Sequence, residues 1–131
     1  QCAHVCQRSV RFDDYLYVRT IHGGYHLLPE EMLFNIKKDP HELHNLAQEC
    51  PELCAKGAKM ILDWTDQMMK SSKSDVDPMW TVIREGGPEH CRGELHRYMK
   101  RLEGTPRAYG IPLLQEQYGT PGANNGFQSY R

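Results

Sequence analysis

The amino-acid sequence predicts an α+β fold: a small antiparallel sheet of three or four strands packed against one long helix, then a second short helix and an irregular C-terminal tail. Three features predict it. Two β-rich runs lie either side of Asp13 and Asp14, a helical period runs from Pro51 to about Lys70, and Gly and Pro crowd the chain after residue 104.

Residues 8–12 and 15–21 are rich in β-branched and aromatic side chains, and the acidic pair between them suits a tight hairpin because Asp tolerates a left-handed backbone. In the second run Leu16, Val18 and Thr20 point one way while Tyr15, Tyr17, Arg19 and Ile21 point the other. Neither face is purely polar, so both are expected to meet a neighbour. Residues 22–26 (HGGYH) form a loop, and residues 32–36 (MLFNI) supply a third strand that Pro40 helps to end.

Leu53, Gly57, Met60, Ile61, Trp64 and Met68 then repeat with helical spacing, which predicts a stripe packed on the sheet. Pro51 suits the first helical position, and Glu52/Lys56, Lys59/Asp63 and Asp66/Lys70 are spaced as i,i+4 ion pairs on the outer face. Residues 71–77 read as a polar linker, residues 78–83 as an apolar run and residues 85–88 as a turn. Leu95, Tyr98, Met99 and Leu102 mark a second helix between Pro88 and Gly104. Residues 119–131 read as a loose end to the tail.

The 131 residues carry 16 Lys+Arg against 17 Asp+Glu, a net charge of −1, with 39% hydrophobic residues. That balance suits one domain with an ordinary core and offers no basic field for nucleic acid. No apolar run approaches the ~18–20 residues that cross a bilayer, so no membrane partner is expected. Gln1 stands where an initiator Met would, which suggests a piece of something longer. The five cysteines, an odd number, favour reduced thiols and a cytoplasmic over a secreted location.

Metal chemistry has weak support. Cys2/Cys6 and Cys50/Cys54 have C-x3-C spacing, but structural zinc draws on C-x2-C or C-x4-C pairs on turns, and Cys54 falls inside the helix. The HELH run at residues 41–44 is one residue short of the H-E-x-x-H of zinc proteases. No nucleophile elbow, phosphate loop or dinucleotide fingerprint is present. The chain is expected to hold no metal and no catalytic residues of its own.

Residues 8–18 (RSVRFDDYLYV) and 32–47 (MLFNIKKDPHELHNLA) together resemble the C-terminal subdomain of type I sulfatases, and residues 20–26 (TIHGGYH) and 77–88 (DPMWTVIREGGP) look like a bacterial subgroup of them. In that family a strand pair precedes an LYDLxxDPxExxNLA segment and a helix. Leu33, Phe34, Asn35, Asp39, Pro40, Glu42, Asn45, Leu46 and Ala47 fit the second motif. The resemblance covers about residues 8–103, with 1–7 as lead-in from an N-terminal catalytic domain and 104–131 as tail.

The resemblance implies a sulfuric ester hydrolase whose catalytic domain, resembling alkaline phosphatase, carries a formylglycine and a calcium ion. None of the five cysteines here lies in the C/S-x-P/A-x-R motif that yields formylglycine. The implied role is to complete the fold and wall one side of the substrate cleft. A free-standing binding or assembly module of the same architecture is the alternative. The isolated chain is expected to be inactive and to self-associate through an uncovered sheet face or the tail. Two sets of residues are candidates for the cleft: His22, Tyr25 and His26 on the Gly-rich loop, and Trp80 with Arg84 before the 85–88 turn.

Overall fold

The computed structural model describes residues 5–85 and 95–118. Strand β1 (Cys6–Phe12) turns at Asp13 and Asp14 into β2 (Tyr15–His22), and β3 (Glu31–Asn35) adds to the free side of β2. All pairing is antiparallel, with Val10 opposite Tyr17 and Tyr17 opposite Leu33. The hairpin closes as its acidic pair suggests, with Asp13 in the left-handed region at φ 51°.

The register sorts the sheet into two faces. Val10, Phe12, Tyr15, Tyr17 and Leu33 lie together beneath helix α1 (Pro51–Ser71), whose Cys54 completes a buried cluster with Phe12, Tyr17 and Leu33. On the opposite face Leu16, Val18 and Met32 are half-buried, and Thr20 and Phe34 are buried. Among the described residues the large exposed apolar side chains fall outside the strands.

α1 meets the sheet through its smallest residue. A Cβ on Gly57 would lie 2.5 Å from the Tyr17 ring, so backbone and ring touch where any other side chain would intrude. This approach rolls α1 so that Cys54, Gly57, Ala58, Ile61 and Thr65 face inward. Met60, Trp64 and Met68, read from the sequence as core, are left exposed on the flank, Trp64 at 53%. Their helical spacing was sound, but spacing fixes a stripe only to within about one residue's rotation, and the Gly57 contact chose the neighbouring line.

The motif after β3 works as a clasp on the edge of the sheet. Asn45 Oδ1 accepts from the backbone N–H groups of Leu33 (2.9 Å) and Ala47 (3.1 Å), while its Nδ2 donates to the Glu31 carbonyl at 3.2 Å. Leu46 N–H donates to the Leu33 carbonyl at 2.8 Å, so the outer edge of β3 is paired rather than open. Asp39 Oδ2 accepts the His44 backbone N–H at 2.8 Å, and that bond holds its carboxyl below the usual carboxylate range. Asn45 does not cap α1. The helix begins at Pro51, and Cys50 precedes it without a side-chain cap.

Of the three charge pairs expected along α1, Lys59 and Asp63 form one at 2.6 Å, whereas Lys56 reaches instead to Asp13 at 2.8 Å over the Phe12 ring. The apolar run after the linker is itself helical: α2 (Pro78–Glu85), anchored by Asp77, whose carboxylate pairs with Arg8 and accepts the Met79 N–H. Helix α3 (Leu95–Leu102) ends at Gly104, which takes φ 71°, and α4 (Gly110–Tyr118) follows. Residues 110–118 are thus ordered helix where Gly and Pro content suggested irregular chain, because Ile111 and Leu114 pack on Met99 and Leu102. The turn at 86–88, the start of the second expected helix and the tail from 119 lie outside the described residues. No described helix is long and apolar enough to cross a membrane.

Candidate functional site

The loop between β2 and β3 is shaped by His22 and two glycines. His22 is buried, and its Nδ1 accepts the Gly24 N–H at 2.9 Å, which bends the chain back over the end of β2. Gly24 takes φ 59°, and a Cβ on Gly23 would sit 2.7 Å from the His26 carbonyl oxygen. Both positions therefore demand glycine. His26 N–H donates to the Gly23 carbonyl at 2.9 Å and closes the turn.

Tyr25 and His26 emerge from this turn against Tyr98 of α3. The Tyr25 and Tyr98 rings stack with centroids 6.1 Å apart, and His26 meets Tyr98 edge-on at 6.1 Å. Arg107, on the α3–α4 turn, donates from Nη2 to the Tyr98 hydroxyl at 3.0 Å. Thr105 positions it: its hydroxyl donates to the Leu102 carbonyl at 2.7 Å and accepts the Arg107 N–H at 3.2 Å. These groups surround a cavity of about 150 Å³, floored by Leu102 and Leu114 and flanked by Tyr109. His26 also borders a more open cleft of about 520 Å³ with Thr20, His22 and Glu30.

The second candidate set lies elsewhere. Trp80, 51% exposed on α2, borders a cavity of about 220 Å³ with Arg19, Ile21 and Leu62, while the Arg84 side chain is outside the described residues. A neighbouring groove of about 730 Å³ runs between β1, α1 and the start of α2, with Met60, Trp64, Val10 and Met79 along its walls. Arg8 lies between the two cavities. Its guanidinium donates to Thr65 at 2.7 Å, pairs with Asp77 and lies 5.6 Å from the centre of the Trp64 ring.

The structure thus joins Tyr25 and His26 into one site, turns His22 inward as its support and leaves Trp80 apart. Sequence reasoning placed Tyr98 only in a helix stripe and missed Arg107 and Tyr109. Their signal was slight: an Arg and a Tyr in the short interval between Pro106 and Gly110, in a stretch whose composition suggested no fixed structure. Among the described residues no three His, Cys, Asp or Glu side chains gather as a metal site would require. The Cys54 thiol is buried, its pKa raised by desolvation, and it points at the Ala47 carbonyl at 3.7 Å, a packing role. Comparison with protein-family models, with curated proteins and with solved structures found no match to this chain.

Proposed function

We propose that this chain is the C-terminal portion of a sulfatase, a sulfuric ester hydrolase, completing that enzyme's fold and walling one side of its substrate cleft. The observation that carries the reading is the clasp at residues 33–47. Asn45 and Leu46, which match the family motif, hold backbone of the edge strand, and Asp39 closes the loop leading to them by accepting the His44 N–H, so the motif has a physical reason to keep its spacing. On this reading residues 8–103 are the subdomain, and an N-terminal domain supplies formylglycine, calcium and all the bond-breaking chemistry. Tyr25 and His26 face the cleft; a His N–H donates to a sulfate oxygen and a Tyr ring lies on the organic group.

Mass measurement on the protein from its native source tests the proposal. A parent several times heavier than 15.2 kDa that hydrolyses an aryl sulfate supports it, and a native species of that mass without such activity overturns it in favour of a free-standing binding or assembly module. The exposed Met60, Trp64 and Met68 flank is what favours that second reading. In the parent, His26→Ala raises KM or lowers kcat/KM by about tenfold at unchanged Tm. His22→Ala costs stability instead, since it removes the acceptor that shapes the loop.

A further inference from the structure

We propose that the cavity between the 23–28 loop and the α3–α4 turn binds a single-ring compound carrying one anionic group, with Arg107 taking the charge and Tyr25, His26 and Tyr98 walling the ring. The site shares Tyr25 and His26 with the proposed cleft, but every residue in it belongs to this chain, so ligand binding by the chain alone tests it apart from sulfatase activity in a longer parent.

Three observations define the ligand. The first is size: about 150 Å³ is the volume at which a cavity accommodates one benzene-sized ring. The second is the wall. Tyr25 and His26 pack against Tyr98 along one side, with Tyr109, 71% exposed, at the rim and Leu102 and Leu114 as the floor. The third is charge. Arg8 and Arg19 commit their guanidinium groups to Asp77, Glu30 and Glu31, whereas Arg107 donates to a phenol, which leaves its positive charge uncompensated at that contact. Among the described residues that line the cavity, none is Asp or Glu. A guanidinium already oriented by a neutral hydroxyl, beside a ring-sized space, meets an anion at little cost in side-chain ordering.

Contacts on both sides of the cavity set this geometry. Gly104 ends α3, Thr105 ties the following turn to Leu102, and a Cβ on Gly110 would lie 3.0 Å from Leu27, so the start of α4 is seated on the loop. Ring and charge are therefore read by different elements, and a ligand needs both features at once.

The test is titration of the full chain, followed by backbone and Arg side-chain NMR shifts. Benzoate and phenyl phosphate serve as two sources of the anionic group, and benzyl alcohol and acetate as ring without charge and charge without ring. Saturable shifts at Arg107, His26 and Gly110 are expected with at least one of the ring anions, and binding about tenfold weaker with both partial probes. Whichever anion binds tighter identifies the group. Arg107→Gln weakens the preferred anion by about tenfold, Arg107→Lys falls between because it keeps charge without the planar fork, and Arg101→Gln changes nothing. Equal affinity for benzyl alcohol, undiminished binding in Arg107→Gln, or no saturable shift with either ring anion overturns the proposal. The same spectra report whether each variant is folded.

Discussion

The sheet with α1 and the α3–α4 pair are built on different terms. In the first, Tyr17 and Leu33 are wholly buried, Gly57 lets backbone touch ring, and Asn45 and Leu46 pair the edge strand. In the second, two short helices share Met99, Leu102 and Leu114, then lean on the loop through Tyr25, Tyr98 and a close approach at Gly110. One region is specified by close packing and backbone pairing, the other by a few large side chains around a space they do not fill. The close-packed unit carries the 23–28 loop, and the looser unit closes the other side of the cavity.

Gly57→Val breaks the comparison most severely. Its added carbons have no place to go beside the Tyr17 ring, so α1 must lift from the sheet, at a cost of about 4 kcal/mol, above the usual overpacking penalty because the obstructing atoms are buried. Urea unfolding should show a large loss of stability, and a change under about 1 kcal/mol would mean that α1 slides freely. Leu114→Ala is expected to cost about 3 kcal/mol by leaving a void beside Met99 and Leu102. Hydrogen exchange localises that loss: faster exchange in α3 and α4 with β1–β3 protected preserves the division into two units, whereas uniform acceleration abolishes it.

Tyr17→Phe gives the smallest effect and sharpens the account of the sheet. The Tyr17 hydroxyl donates to Glu31 at 2.6 Å, and its loss costs about 1 kcal/mol. Burial, first, and then the Glu31 carboxylate raise the Tyr17 pKa well above its ordinary value of 10.0. Above about pH 10 the unfolded chain releases this proton while the folded chain keeps it, so stability is full below that pH and declines as pH rises further. Unfolding followed across this range should show a shallower decline in the Phe variant. Parallel curves would remove Tyr17 from the alkaline response.

The chain's local patterns made the first region legible and the second largely not. Alternation in residues 15–21, the acidic hairpin turn, and Pro51 followed by a helical period all act within a few residues, and each produced the element it suggested. The glycines of the HGGYH loop likewise announced a turn, and with it Tyr25 and His26, half-buried in the structure, as candidates. The rotation of α1 was not decided locally. It depended on which helix line meets Tyr17, a residue far away in sequence, and steric fit at Gly57 settled it against the larger Met and Trp stripe. The same holds for α4, where burial of Ile111 and Leu114 outweighs the poor helical composition around them. His22 turned inward because its ring found the Gly24 N–H, and Arg107 became a site residue because α3 and α4 fold back onto the loop. By itself the sequence determined which segments become strands, turns and the long helix, since those follow from short-range sterics and periodicity. Only the tertiary structure decided which faces are buried and which distant side chains share a cavity, because those depend on packing between segments that the sequence keeps apart.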